Sequence, residues 1–196
     1  MDFGRTALRF VIGPLFVGHG TQKLFGWFGG HGLDGTAGFF ETLGLKPGKR
    51  HATAAGASEA VGGALLTLGA LTPVASGLIT GTMITAIRKA HADKGPWVTN
   101  GGYEYNLTLI AAMLALAEAG PGRPSVDEAV MPWLKGNGWA LAQFAGAAVA
   151  STLLTSERMT PAEHTPAEGE AEIGGDPAAP RQNRFTREES EVPTSS

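Results

Sequence analysis

From Ala60 to Ile87 the chain runs for 28 residues without a formal charge. A single crossing of the roughly 30 Å hydrocarbon layer needs only about 20 apolar residues. The run is therefore too long for one ordinary span, and it has to be broken. Thr72-Pro73 supplies the break, because proline lacks the N–H a helix interior needs and restricts the residue before it. The sequence predicts one helix over about 51–71 and another over about 74–92, joined by a tight turn at Pro73. Arg88, Lys89 and His91 fall in the last turns of the second, where long cationic side chains reach toward headgroups.

The same reasoning extends in both directions. Thirteen residues without a charge separate Arg9 from Lys23, and LFGWFGG continues the apolar run, so a helix over about 6–28 is long enough to span. Pro14 disfavours a soluble interior helix there but is tolerated in a membrane. YEYNLTLIAAMLALAEA predicts a helix over about 103–119, with its tyrosines at an interface. Gly136 to Ser156 is again uncharged, and a fifth span over about 138–154 is expected. The fold class is thus all-α: a transmembrane four-helix bundle with a fifth C-terminal helix and a disordered tail. Gly56, Gly62, Gly63 and Gly69 fall on the second helix, and Gly77 and Gly81 form a GxxxG pair on the third. Small residues let helices approach closely where lipid gives no hydrophobic drive. A compositional bias toward glycine and alanine is the alternative explanation. Between the first two helices, Asp34 can cap a short helix ending near Gly44. That helix lies on the membrane surface or folds over the bundle, or the segment is an ordered loop.

Composition matters mainly because it is uneven. Residues 155–196 carry nine acidic and four basic residues and little apolar mass, so this acidic tail is expected to be disordered. Residues 1–154 carry eleven basic and nine acidic residues, giving the body about +2 and the tail about −5. There is no cysteine, which excludes disulfides, thiolate metal sites and a cysteine nucleophile. The first apolar run lacks a small-residue cleavage site and reads as a retained helix. No metal-binding, nucleotide-binding or hydrolase motif is present, and no basic stripe points to nucleic acid. Placing the 46–50 and 88–94 loops in the cytoplasm gathers six basic residues there, against four in the opposite orientation. Arg5 and Arg9, just before the first helix, pull the other way.

Ionisable side chains near a bilayer centre cost roughly 2.5–3.5 kcal/mol on insertion scales. His19, Lys23, Glu59 and, nearer an edge, Glu118 stand out on that ground. His19 and Lys23 lie at i and i+4 on one face of the first helix, with Phe16 beside them. Glu59, flanked by Gly56 and Gly63, is the candidate partner on the second helix. The pair either fixes helix register or serves a site in which His19 exchanges protons with a bound redox ligand such as a quinone. A third reading places Lys23 at the interface, snorkelling. A second polar cluster joins Arg88, Lys89 and His91 to Trp97, Tyr103, Glu104, Tyr105 and Asn106. Such residues line a ligand pocket at a helix mouth or form an aromatic belt.

GHGTQKLFG, the glutamate in SEAVGGALLTLGALTP, the histidine after the third helix, and GGYEYNLTLIAAMLALAEAGPGRPSVDEA together resemble the DoxX family of small membrane proteins, from about residue 5 to residue 130. The resemblance implies a four-helix membrane bundle, multi-pass in the bacterial inner membrane, in a redox setting. It places Lys23, Glu59, His91, Tyr105 and Asn106 at family-like positions without assigning a catalytic role. Relatives include a subunit of a thiosulfate:quinone oxidoreductase and members that associate with superoxide dismutase and a sulfurtransferase. Two readings follow: a component of a quinone-linked or oxidative-stress complex, with quinone as the ligand, or a non-enzymatic anchor for soluble redox partners. Self-association into a homo-oligomer is compatible with both, and the lipid bilayer is a partner in both.

Overall fold

A computed structural model of the chain describes residues 2–156, all within one compact unit, Met1–Met159. The expected disordered tail lies outside the described residues, except for Thr155 and Ser156, which close the last helix. The described residues are helical, with no strand among them. Five long helices form the body: α1 (Phe3–Phe25), α3 (Gly48–Leu68), α4 (Thr72–Ala86), α5 (Glu104–Ala119) and α7 (Asn137–Ser156). Two shorter ones, α2 (Gly32–Thr42) and α6 (Val126–Val130), lie in the connections. α6 is not among the expected helices, although Ser125-Val126-Asp127-Glu128 has the S-x-x-E form of a capping box and the Ser125 hydroxyl accepts from the Glu128 N–H at 3.3 Å. The N-cap of α2 is His31, whereas Asp34 sits in the first turn and makes an exposed ion pair with Lys49 at 3.0 Å.

Glycine sets the packing. A methyl group on Gly63 of α3 would lie 2.5 Å from the Gly13 carbonyl oxygen and 2.7 Å from the Val17 nitrogen of α1. One on Gly20 of α1 would lie 2.5 Å from the Gly56 carbonyl oxygen. The two backbones therefore touch along a glycine seam, the arrangement lipid-embedded helices use to gain dispersion contacts. The GxxxG pair serves a different contact: Gly77 and Gly81 of α4 face Gln143 and Ala147 of α7, at 3.6 and 3.9 Å from the ideal Cβ positions. α4 packs on α3, α5 and α7, so the C-terminal helix is built into the body. The apolar core runs through Phe16, Leu66, Ile79, Met113 and Leu116.

Large apolar side chains cover the outside as well as the core, and several polar ones are buried. Phe10 on α1 is 52% exposed and Leu141 on α7 is 68% exposed, while Thr72, Ser76, Thr80 and Gln143 are buried. The Ser76 and Thr80 hydroxyls and the Gln143 amide have no partner among the described residues. Large apolar faces on the outside suit a hydrocarbon solvent and disfavour water. Among the described residues, α7 alone is long and apolar enough by itself to cross a membrane. The others fall short for definable reasons. α1 carries Arg5, Arg9 and Lys23, α3 carries Lys49, Arg50 and Glu59, and α4 and α5 are only 15 and 16 residues long.

The end of the bundle that holds the α1 N-terminus is closed by a polar clasp. Arg9 is 0% exposed and donates to the Thr67 carbonyl at 3.0 Å and the Pro124 carbonyl at 2.5 Å. Asp127 of α6 is 1% exposed and accepts from the backbone N–H groups of Leu71 and Thr72, each at 2.7 Å. These are orphan donors at the start of α4, so a side chain from a distant segment caps this helix. Leu71 has φ +47°, a left-handed conformation unusual for leucine, and its N–H is one of the two that Asp127 holds.

Candidate functional site

The opposite end of the bundle is open. α1 ends at Phe25, with Gly26 in the left-handed conformation turning the chain. Lys23 lies in the last turn, and the glycine seam brings it within reach of α3. Its Nζ is 2.5 Å from Glu59 Oε2, with the Glu59 side chain 7% exposed and that of Lys23 25% exposed. The carboxylate is therefore inside the protein and the ammonium at its border. Such a contact compensates a charge that would otherwise be costly to bury.

His19, one turn earlier, is exposed and stands edge-on to Phe16, ring centres 6.2 Å apart. Its Nδ1 is 3.1 Å from Gln22 Oε1. Gln22 Nε2 donates to the Phe28 carbonyl at 3.3 Å, which leaves Oε1 as the acceptor. The network thus assigns the proton of neutral His19 to Nδ1 and leaves Nε2 as the basic nitrogen.

The second cluster is shaped by an irregularity in α4. After Ala86 the helix widens into a π turn, Ile87–His91. Turns of this kind re-aim side chains and recur at functional sites. Here adjacent cations diverge. Arg88 leaves the group and donates to Thr152 Oγ1 of α7 at 2.9 Å, while Lys89 and His91 face inward. His91 Nδ1 is 2.6 Å from the Gly101 carbonyl, which can only accept, so Nε2 is again the basic nitrogen. Asn106 is buried and donates to Met83 Sδ at 3.3 Å. Glu104 accepts from the Val98 N–H at 2.6 Å and orders the preceding loop, on which Trp97 is exposed. Glu118 is exposed in the last turns of α5, at the other end of that helix from the cluster.

The two clusters meet. A cavity of about 500 Å³ lies between the α1–α3 pair and α4, α5 and α7, and His19, Lys23, Glu59, His91, Tyr105 and Asn106 all line it. Most of the remaining wall is apolar. Phe39, Phe40 and Leu43 reach it from the α2 segment, and Ala147, Ala150 and Leu154 from α7. Lys89 of the second cluster lines it as well, and so do His51 and Lys94, which the sequence reading did not place in such a site. It also treated Arg9 as a flanking charge and overlooked Asp127. Only a charge lying in an otherwise apolar helix could have signalled Arg9, because its partners are backbone carbonyls.

A family model described as DoxX matches residues 4–92. α1, α3, α4 and the π turn fall inside that match. Tyr105, Asn106 and the wall contributed by α7 lie beyond it. No curated protein and no solved structure matches the chain.

Proposed function

We propose that this chain, which the DoxX family model matches over residues 4–92, is a DoxX-type multi-pass component of a bacterial inner-membrane redox complex. We propose also that its cavity binds a quinone. One observation carries the reading: polar groups from α1, α3, α4 and α5 converge on a single cavity with apolar walls. Its volume, about 500 Å³, falls within the range of small-molecule sites. A quinone ring is flat and apolar, with carbonyl oxygens at opposite edges. It asks for apolar walls and for polar hydrogen-bonding groups on two sides. Lys23 keeps donors beyond the one directed at Glu59, since an ammonium has three. The basic Nε2 atoms of His19 and His91 are suited to take a proton from a quinol hydroxyl. Glu59 holds Lys23 in place. With no cysteine in the chain, any thiol chemistry of the complex belongs to a partner protein. The basic loops around the cavity mouth favour the cytoplasmic side for that end.

The test is direct. Protein purified in native lipid should carry quinone in its extract in near-stoichiometric amount, and Glu59→Gln should lower that retention. Full protein recovery with no quinone in the extract contradicts the reading.

A further inference from the structure

The charges lining the cavity do not balance. Among the described residues Lys23, Lys89 and Lys94 face it, with Glu59 as the single carboxylate, and Glu59 is already engaged by Lys23 at 2.5 Å. Lys89 is half-buried and forms no ion pair among the described residues. The π turn sends it inward while its neighbour Arg88 is held on α7. The Lys94 stem lies against Gly101, its Cδ 3.2 Å from where a Gly101 Cβ would stand. Gly101 is also the residue whose carbonyl fixes His91. The second cationic group thus stands beside the histidine of the same wall. Lys89 is half-buried among mainly apolar walls, so water screens its ammonium less than at an open surface and an opposite charge placed there gains more; Lys94 is exposed and adds a smaller, screened share.

We propose that the cavity selects its lipid-soluble ligand in an anionic form, an acidic hydroxyquinone or a quinol that has lost one proton, with Lys89 and Lys94 as the countercharge. The proposal deepens the quinone reading and rests on it for the ring that fills the apolar part. It adds the charge of the ligand and the two residues that recognise it. Binding needs no electron transfer: the ligand hydroxyl gives its proton to bulk water, and the resulting oxyanion pairs with the ammonium groups.

The experiment compares two ligands that differ in charge. One is an alkylated lawsone, a hydroxynaphthoquinone ionised at neutral pH. The other is the neutral ring with a methyl group in place of the hydroxyl and the same alkyl chain. Binding to the full-length protein is measured in nanodiscs of zwitterionic lipid and corrected for partition into empty discs. The anion should bind at least about tenfold more tightly than the neutral ring, the gain expected from one well-placed charge contact at intermediate dielectric. Lys89→Gln together with Lys94→Gln should remove that preference and leave the neutral ligand within about twofold. Lys94 is exposed, so Lys94→Gln alone provides a variant that keeps the fold, and it should give a partial loss confined to the anion. Equal affinity for the two ligands, or an equal loss of both in the variants, overturns the proposal while leaving the quinone reading intact. Failure of both ligands to bind overturns the two together.

Discussion

Replacing Lys23 by methionine isolates the energetics of the α1–α3 contact. The substitution keeps the length and apolar stem of the side chain and removes the ammonium that stands 2.5 Å from Glu59. It strands a carboxylate whose side chain is 7% exposed. Breaking a fully buried pair costs about 3–5 kcal/mol. Lys23 is itself 25% exposed, so water reaches the site in part, and about 2–3 kcal/mol is expected. Glu59→Leu strands the more accessible ammonium, which can extend to the surface, and should cost only about 1 kcal/mol. The double variant leaves no stranded charge and should lie within about 1 kcal/mol of the parent. The coupling energy is then about 2–4 kcal/mol. Unfolding of the purified protein in mixed micelles by increasing dodecyl sulfate, followed by far-ultraviolet circular dichroism, measures all four species. If the two single effects add up to the double within about 0.5 kcal/mol, the two side chains do not compensate each other and the reasoning fails.

Two further outcomes follow from the packing. Gly63→Ala should cost about 1–3 kcal/mol in the same assay, since the methyl would stand 2.5 Å from the Gly13 carbonyl oxygen and force α1 from α3. Gly146→Ala, where nothing lies within 4 Å, is the matched control and should be neutral or slightly stabilising. Asp127→Ala should cost about 3 kcal/mol by leaving the Leu71 and Thr72 N–H groups without an acceptor, and Asp127→Asn, which keeps one acceptor oxygen, about half of that. A thermal melt unchanged by Asp127→Ala would refute the capping role.

How much of this could be read from the sequence varies with the kind of signal each feature leaves. Long uncharged runs and the proline at 73 mark the helices, because charge and the missing proline N–H act locally. The contact between Lys23 and Glu59 is traceable for a similar reason. Each is conspicuous in an apolar helix, and the glycines beside Glu59 mark where another backbone can come close. The π turn at Ile87–His91 leaves no such mark, so nothing in the sequence separates Arg88, which turns toward α7, from Lys89 and His91, which turn inward. Arg9 looks like a flanking cation because its acceptors are the carbonyls of Thr67 and Pro124, and every residue has a carbonyl. Asp34 has the right chemistry for a cap but lies within the helix, which begins earlier at Gly32. The DoxX match itself ends at residue 92, short of α5 and α7, which complete the cavity wall.

The clasp at the closed end has a consequence for biosynthesis. Thr72 receives its cap from a residue 55 positions later, and Arg9 reaches a carbonyl 115 positions later. A ribosome therefore releases α1, α3 and α4 well before the groups that complete their ends exist. Until residue 127 emerges, the start of α4 has two unsatisfied donors and the Arg9 guanidinium lacks one of its two acceptors. Until then these groups lack the partners that the finished chain gives them. Arrival of Pro124 and then Asp127 supplies them within four residues of chain. The loop after α5 thus works as a latch on synthesis, and the helices inside the family match reach their finished shape only when Pro124 and Asp127, beyond it, have been made.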